Sequence, residues 1–449
     1  MEMSLGKKIQ IGSYSLYKAL TSPTFSEYNP DNYDSFCANP YPIYNKILND
    51  KKIFFNPRQA AWVVGGDFET VKSLMHDPRL SIRFSEWKFA PKTDYENMTP
   101  LAQLNANLLM SMPPENHSRI RRLASPAFNP RQVENLTPDI QGIVDEKLDA
   151  IQGPFNLFEV SSTIPLLALA RYIGVPEDFQ KEFEGLSLSI LSNYDPTLTF
   201  DVDLAMAGLE MINGLIDEKK IIAQRLIDEH ESLSDTDQTL DDYVAEHTKD
   251  FLTSLMIKVI KSDEGQKITE AEALSLVASA LAAGADTTLH HVNWAISSLL
   301  KNPHVIPEVL ADDTKKLLDN AIVEAFRWDN LGHSGSVRFA LEDIEIYGQT
   351  IKKGEMVRPL NCGTFRDPRM FSNPDVFDIH RDNLKEVYTF GIGPHYCLGA
   401  AMAKKITQLT IWSFLKRFPK AKIISKPTFE KHFIIRNMTG LMVDPMIDK

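Results

Sequence analysis

A nearly continuous series of helical patterns fills the middle of this chain, from about Gln132 to Asp329. Apolar residues recur there at intervals of three and four, the spacing that places them on one face of a helix. Short polar or proline-containing connections separate the segments. Strand patterns are confined to the two ends of the chain. The sequence therefore predicts a mainly α fold with small β-sheets, of the α+β class.

The individual segments can be placed by periodicity and by the residues that begin or end them. Helices are predicted at 133–151, 176–191, 202–231, 240–260, 269–301, 306–329 and about 398–418. Strands are predicted at 60–66, 336–339, 344–346 and 355–360, with a closing hairpin over 433–443. Residues 367–396 are predicted to be irregular, because they are rich in Pro, Asp and Asn.

Composition restricts the class of protein further. With 43% hydrophobic and 24% charged residues, the 449-residue chain is neither collagen-like nor disordered. Its net charge of −12 argues against nucleic acid as a partner, because binding to phosphates needs a basic face. Three cysteines cannot form a disulfide framework, and they indicate a reducing compartment.

No targeting or membrane-spanning segment is apparent in the sequence. The first ten residues, MEMSLGKKIQ, lack the apolar core of a signal peptide. The longest uncharged apolar stretch, residues 273–285, is shorter than the ~20 residues that cross a bilayer. We therefore expect a cytoplasmic protein with no membrane insertion.

A turn that ends in a cysteine, FGIGPHYCLGA at Phe390–Ala400, points most directly to chemistry. Its two glycines permit a tight turn, and Cys397 stands where a helix is predicted to begin. The positive end of that helix dipole favours a thiolate, which is either a nucleophile or a metal ligand. A nucleophile needs a histidine base within reach, and the spacing of His395 does not by itself provide one. Ligation of haem iron by a single cysteine is the other possibility.

The cysteine turn resembles the haem-binding loop of the cytochrome P450 family, F-G-x-G-x-H-x-C-x-G-x-x-x-A. The matching residues are Phe390, Gly391, Gly393, His395, Cys397, Gly399 and Ala403. The resemblance implies that the protein binds haem b with Cys397 as the axial ligand of the iron. It also implies that Phe390 and Gly399 border the cofactor.

A second motif, AGADTT at residues 283–288, lies in the middle of the predicted helix 269–301. Glycine and threonine are unfavourable there, and a threonine hydroxyl can bond to a carbonyl one turn back and loosen the helix. Small residues on this face suit either close approach of a ligand or tight helix packing. The motif resembles the family's oxygen-activation groove, which implies catalytic roles for Asp286 and Thr287. Ala283 and Gly284 would border the haem.

A third motif, Glu324 and Arg327 at i,i+3, allows an ion pair on one helix face. The resemblance implies the family's structural E-x-x-R pair. The family often adds an arginine from a P-x-R-F run. Here that run reads Pro374-Asp375-Val376-Phe377, so Arg381 is the candidate for the third position.

Four basic residues outside these motifs match the family's set of haem-propionate donors. Two carboxylates removed from water need charge-assisted hydrogen bonds. The four are His117, Arg121, Arg338 and His395.

The implied architecture is the triangular P450 prism, a single haem-thiolate monooxygenase unit over residues 1–449. Its β-rich lobe would come mainly from about 50–70 and 336–360 plus the C-terminal hairpin. Its α-rich lobe would come mainly from 132–329 and 398–418.

The implied reaction inserts one oxygen atom from O2 into a C–H or C=C bond of a hydrophobic small molecule. Terpenoid, fatty acyl and polyketide compounds are all compatible with it. By family position, the substrate pocket would include Trp87, Phe89, Leu276, Ala280 and Met438.

The 52 residues that follow Cys397 are too few for a flavin or iron–sulfur domain. Electrons would therefore come from a separate ferredoxin or flavodoxin with its reductase. Such carriers are acidic, so we expect a basic docking face. We also expect the protein to be a monomer. The candidates for that face are Arg119, Arg122, Lys404 and Lys405.

Two other functions are also compatible with the sequence. One is a haem-thiolate enzyme that uses peroxide or rearranges its substrate without redox chemistry. The other is a non-catalytic haem-binding sensor. The presence of Asp286 and Thr287 counts against both.

Overall fold

The computed structural model describes residues 5–29, 36–90, 94–176, 180–191, 200–233, 238–261, 267–332, 335–430 and 435–447. The helices up to the centre of the chain are α1 (Leu5–Thr21), α2 (Tyr41–Asn49), α3 (Phe68–Leu74), α4 (Pro100–Ala106), α5 (Pro114–Ala124), α6 (Pro130–Asn135), α7 (Thr137–Asp149), α8 (Leu157–Ile173) and α9 (Gln180–Leu191). They are followed by α10 (Val202–Ser232), α11 (Leu240–His247), α12 (Phe251–Lys261), α13 (Glu270–Lys301), α14 (Ile306–Ala311), α15 (Lys316–Trp328), α16 (Asn361–Thr364) and α17 (Ala400–Arg417).

The strands are short and lie mostly towards the ends of the chain. They are β1 (Ile53–Asn56), β2 (Ala61–Val64), β3 (Leu80–Ser81), β4 (Phe155–Asn156), β5 (Arg338–Ala340), β6 (Ile344–Ile346), β7 (Gln349–Ile351), β8 (Met356–Pro359), β9 (Lys422–Ile423), β10 (Thr428–Phe429), β11 (Met438–Gly440) and β12 (Met442–Asp444). The predicted mainly α fold with small sheets is confirmed.

The largest sheet has five strands in the order β1-β2-β8-β5-β3 and joins the two ends of the chain. Strand β2 pairs in parallel with β8, with Ala61 opposite Met356 and Val64 opposite Pro359. All four residues of β2 are buried, as expected for a central strand covered on both faces.

Helix α13 runs through the centre of the helical region. Its first turn carries a capping box, in which Thr269 and Glu272 satisfy each other's backbone N–H groups. It packs against α8 and α9 on one side and against α15 and α17 on another. Its C-terminal half, from Thr288 to Leu300, is buried throughout.

Three predicted helices are each two helices in the structure. The 240–260 segment breaks because the Asp250 carboxylate accepts the Thr253 N–H at 2.7 Å and so begins α12. Asp312 likewise accepts the Leu317 N–H at 2.7 Å at the start of α15. Pro138 stands in the first turn of α7 and separates it from α6. Residues 177–179 of the predicted helix 176–191 lie outside the described residues.

The predicted C-terminal hairpin is wrong. Strand β11 pairs with β10, whereas β12 lies between β4 and β9 in another sheet. Adjacent apolar runs indicate strands but not partners, since pairing depends on distant segments. Residues 433 and 434 of that prediction lie outside the described residues. Among the helices that the structure describes, none is long and apolar enough to cross a membrane.

Candidate active site

The cysteine turn is closed by its own backbone. The Cys397 N–H donates to the Phe390 carbonyl at 2.9 Å, and the Tyr396 N–H donates to the Gly393 carbonyl at 3.0 Å. Gly391 and Gly393 have φ values of +73° and +74°, which residues with a side chain rarely adopt. The two glycines therefore bring Cys397 back beside Phe390.

Cys397 is exposed, and two opposing effects act on its thiol. Burial raises the pKa of the Cys397 thiol, and only part of this is offset by the Gly399 N–H and by Arg121. Helix α17 begins at Ala400, three residues after Cys397. The Gly399 N–H at the start of this helix favours the thiolate, as the sequence predicts, whereas burial opposes it. A metal ion at the sulfur would remove the proton outright.

The four predicted propionate donors lie together beside this turn. The rings of His117 and His395 are 4.3 Å apart. The Arg121 guanidinium donates to the carbonyl of Tyr396. The Arg338 guanidinium donates to the carbonyls of Ser336 at 3.0 Å and Met75 at 3.2 Å.

This basic cluster lacks a counterion in the described part of the chain, where none of its four members forms an ion pair. Burial and the neighbouring groups His117, Arg338 and Arg121 lower the pKa of His395 to about 4. Burial alone lowers the pKa of Arg338 to about 10. The Nε2 atom of His117 is buried without a hydrogen-bond partner. Donors in excess of acceptors at a buried site call for an anionic ligand.

Between its two ends, helix α13 is exposed at the AGADTT motif. Ala283 is exposed and Thr287 is half-buried, although the turns on either side are mostly buried. The Thr287 hydroxyl donates to the Ala283 carbonyl at 2.5 Å, as the motif predicts. The ring of His291, one turn further on, lies 5.3 Å from that of Phe390. This contact places the helix motif next to the cysteine turn.

Gly284 faces the neighbouring helix α8, whereas Ala283 is exposed. A Cβ atom at Gly284 would lie 2.6 Å from Cδ1 of Leu169 on α8. The glycine therefore lets the Leu169 side chain of α8 pack closely on α13, which was the alternative interpretation of the small residues. At Gly399, in contrast, a Cβ atom would meet no other atom within 4 Å, so the open side of this glycine can accept a flat ligand.

Glu324 and Arg327 form a fully buried bidentate ion pair, with Nε–Oε2 and Nη2–Oε1 distances of 2.6 and 2.7 Å. Arg381 occupies the third position, with its Nε atom 3.1 Å from Glu324 Oε1. Arg327 also donates to the carbonyls of Phe365 and Pro374. The network fixes the irregular segment that leads to the cysteine turn.

The predicted substrate-pocket residues come from three segments of the chain. Leu276 is buried and Ala280 half-buried, two turns and one turn before Ala283 on α13. Trp87 and Phe89 pack against each other, with ring centroids 5.4 Å apart. Met438 is buried and lines a separate cavity of about 800 Å³ beside Trp294.

Two of the four predicted docking cations are engaged in ion pairs. Arg119 pairs with Glu272, and Lys405 pairs with Glu134 at 2.8 Å. Arg122 and Lys404 are exposed. Lys404 lies over the Phe390 ring at 5.3 Å, which places it at the cysteine turn.

One residue at this site was not predicted. The Nε2 atom of His290 lies 3.6 Å from Oδ1 of Asp286. The i,i+4 spacing of Asp286 and His290 on a predicted helix was the signal that could have revealed this contact.

The residues present fit haem. A single cysteine borders an open face at Gly399, and a basic cluster with an unpartnered buried Nε2 matches two carboxylates. No cluster of three or more metal-ligating side chains occurs among the described residues.

Comparisons with known proteins point to the same cofactor. Residues 192–430 match the family model described as Cytochrome P450. The chain is 29% identical over 420 residues to the epothilone C/D epoxidase of Sorangium cellulosum, covering 91% of this chain and 93% of that enzyme.

Solved structures give the same result. Epothilone B-bound cytochrome P450epoK aligns with a TM-score of 0.78 at 28% identity, over 94% of this chain and 99% of its own. P450BioI in complex with an acyl carrier protein ligated with hexadec-9Z-enoic acid aligns with a TM-score of 0.72 at 26% identity, over 92% and 100%.

The chain therefore belongs to the cytochrome P450 family. It is a monooxygenase, an oxidoreductase that incorporates oxygen from O2, and its cofactor is haem b. The predicted family, fold and enzyme class are thereby confirmed, whereas the roles of the individual site residues stay predictions.

Proposed function

We propose that this monooxygenase acts on a polyketide or fatty-acid type substrate, with Cys397 binding the haem iron and with Asp286 and Thr287 controlling protons. One observation carries the assignment of residues. The turns of α13 around Ala283 and Thr287, which are open to the surface in the middle of the helix, adjoin the cysteine turn through the contact of His291 with Phe390.

When bound, haem supplies the activation of O2 and the transfer of one oxygen atom to the substrate. The chain's own residues would hold it. Cys397 would bind the iron through its sulfur, and Phe390, Gly399 and Ala283 would border the cofactor. The basic cluster, whose members are His117, Arg121, Arg338 and His395, would bind the two carboxylates.

Asp286 and Thr287 supply and order protons in the cleft. The Asp286 side chain is 33% exposed, so its carboxylate can exchange protons with water. The Thr287 hydroxyl donates its own proton to the Ala283 carbonyl, which leaves the oxygen free to accept a hydrogen bond from a water in the cleft. Gly284 acts by packing against α8 and leaves the Ala283 side open.

The substrate class rests on the relatives. The epoxidase of Sorangium cellulosum acts on epothilones, and the P450BioI structure holds a fatty acyl chain on a carrier protein. The apolar residues Leu276 and Ala280, on α13 before Ala283, would contact such a substrate. A hydrophobic compound of either type fits the opening of α13 better than a charged one.

We assign electron delivery to a separate ferredoxin or flavodoxin, because such an acidic carrier suits exposed cations beside the cysteine turn. Arg122 and Lys404 would form the docking face, because both are exposed, Lys404 lies over Phe390, and Arg122 follows Arg121, which bonds to Tyr396. Arg119 and Lys405 contribute less, since an acidic residue already neutralises each.

Thr287→Ala tests the assignment, once a panel of fatty acids and macrolactones has yielded a compound that shifts the Soret band. Haem content and affinity for that compound should stay unchanged, because alanine is a good helix former. Proton delivery should become poorly timed, so NADH consumption should release peroxide instead of product. Asp286→Asn should instead slow turnover, because an amide is a poor proton donor and acceptor.

Thr288→Ala is the matched control, since Thr288 is buried on another side of the same turn. It should keep the wild-type ratio of product to NADH consumed. A wild-type ratio in Thr287→Ala would overturn the proposed role of the motif. Equal product formation with hydrogen peroxide alone, without NADH or ferredoxin, would favour the peroxygenase function instead.

A further inference from the structure

Helix α13 carries an unusual buried histidine two turns after Ala283. His290 is fully buried, and neither of its ring nitrogens has a hydrogen-bond partner within 3.5 Å. The nearest charged atom is Oδ1 of Asp286, 3.6 Å from Nε2 and one helical turn earlier. The Asp286 side chain is 33% exposed, so the pair has one end in the opening and the other in the protein interior.

The interface between α13 and α8 is polar beyond His290. The Ser161 hydroxyl donates to Asn293 Oδ1 at 2.6 Å, while Nδ2 of the same amide is buried without a partner. Pro165 lies inside α8 and has no N–H, so the Ser161 carbonyl receives no helical hydrogen bond from it. Phe158 covers His290, with ring centroids 6.4 Å apart.

Leaving polar groups unpaired in a protein interior is unfavourable, typically by ~1–3 kcal/mol for each group. A phenylalanine or leucine at position 290 would avoid this cost. Buried histidines that remain nearly unpaired therefore call for a role in which they act on a neighbour. The neighbour that His290 can reach is Asp286.

We propose that His290 is a positioning residue for Asp286. Its Nε2–H donates to Oδ1 of Asp286 and holds the carboxylate in one rotamer, with Oδ2 directed to the opening. A small rotation of either side chain shortens the 3.6 Å separation to a hydrogen bond. This inference rests on the proposed role of Asp286 as the proton-supplying group.

The surroundings of His290 favour such a fixed role. Among the described residues, Asp286 and His291 are the titratable groups in electrostatic contact with it. Burial, and to a smaller extent His290, lower the pKa of His291 to about 3, so His291 stays neutral. From α8 the contact is the apolar ring of Phe158. The Asp286 carboxylate is therefore the acceptor available to the Nε2–H of His290.

Two substitutions at position 290 separate positioning from packing. His290→Phe keeps the ring volume but removes both nitrogens. His290→Gln places an amide N–H near the position of Nε2 and so retains a donor to Asp286. We expect substrate affinity from the Soret shift to stay within about twofold of wild type in both variants, because the side chain at position 290 is fully buried.

The kinetic constants should differ between the two variants. Loss of a residue that orients a functional group typically lowers activity by ~10-fold or more, so kcat should fall by about that factor in His290→Phe, with more peroxide released. His290→Gln should recover most of kcat and of the coupling. If His290→Phe kept wild-type kcat and coupling, or if Gln lowered kcat as much as Phe, the proposal would be overturned.

A spectroscopic measurement tests the contact without turnover. In the reduced, CO-bound holoenzyme labelled with ¹⁵N-histidine, the signals of His290 are those absent from His290→Gln. They should show the Nε2–H form, and they should move in Asp286→Asn. Signals that Asp286→Asn leaves in place would show that the two side chains do not interact, which also overturns the proposal.

The same variants distinguish failure of this inference from failure of the proposed function. Slow turnover in Asp286→Asn together with normal turnover in His290→Phe would overturn only the positioning role. Normal turnover in Asp286→Asn would overturn the proton-supplying role of Asp286 and the inference with it. If His290→Phe does not fold, His290→Asn replaces it, since its shorter side chain keeps a polar group but cannot reach Asp286.

Discussion

The three cysteines differ sharply in their surroundings. Cys362 is fully enclosed, and burial raises the pKa of its thiol to about 12. Cys37 is also buried, and its carbonyl accepts from the Arg436 Nε–H at 2.8 Å. Cys397 is exposed and lies beside Arg121 and the Gly399 N–H, the two groups that favour its charged form. Only this sulfur among the three can be reached by a cofactor.

Cys397→Ser should therefore abolish the thiolate type of reduced CO spectrum, because a serine hydroxyl does not replace a thiolate as a soft ligand. The measurement is the reduced CO difference spectrum of the purified holoprotein. Cys37→Ser and Cys362→Ser are the controls and should keep the wild-type spectrum. An unchanged spectrum in Cys397→Ser would contradict the ligand assignment.

For single residues, the sequence motifs predicted which side chains lie together but not what each of them contacts. The cysteine turn, Asp286 and Thr287 stand where the motifs indicate. Gly284, however, serves contact with Leu169, because a motif does not reveal which side of a helix meets a neighbour. The raised pKa of Cys397 could not be predicted either, since it depends on burial by the whole surrounding structure.

Between elements, the Glu324, Arg327 and Arg381 network joins α15 to the irregular segment before the cysteine turn. Arg381 also donates to the carbonyls of Ser372 at 2.6 Å and Asn373 at 2.9 Å. These hydrogen bonds replace the regular pairing that a strand or helix would give to that segment. The position of the turn therefore depends on a buried charge network.

Glu324→Gln should destabilise the protein by about 3–5 kcal/mol, because it leaves two buried arginines without a countercharge. The measurement is the denaturant midpoint of the holoprotein, together with its haem content, which should fall. Asp343→Asn is the matched control, since the Asp343–Lys352 pair is 52% and 60% exposed. Its effect should stay within about 1 kcal/mol. Equal effects of the two substitutions would contradict the structural role of Glu324.

Elements with strong local signals were predicted best. Helix α10 begins at the predicted residue Val202 and β2 lies within residues 60–66, as periodicity indicates. The breaks at Asp250 and Asp312 were not predicted, because a side-chain cap inside a polar stretch resembles an ordinary surface carboxylate. The partners of β11 and β12 were not predicted, because they are set by distant strands.

For the molecule as a whole, the net charge of −12 contrasts with the exposed cations near the cysteine turn. Arg122 and Lys404 are exposed there, whereas Arg119 and Lys405 are paired with acidic side chains. An acidic electron carrier would be attracted to this face while the rest of the surface repels it. Docking should therefore be localised and sensitive to salt.

Reversal of charge in Arg122→Glu or Lys404→Glu should slow reduction by an acidic ferredoxin and leave substrate affinity unchanged. Stopped-flow reduction under CO measures this rate, and the difference from wild type should shrink as ionic strength rises. Lys353→Glu, an exposed charge in the turn between β7 and β8, is the control. If its effect equals that of the other two, docking is not localised to this face.

The parallel pairing of β2 with β8 also has a consequence for folding during synthesis on the ribosome. The two strands lie about 300 residues apart in the chain. Ribosomes add ~5–20 residues per second, so roughly 15–60 s pass between synthesis of the β1–β2 hairpin and synthesis of β8. During that time one edge of a fully apolar strand is uncovered. We therefore expect nascent chains halted before β8 to engage chaperones more strongly than chains halted after it.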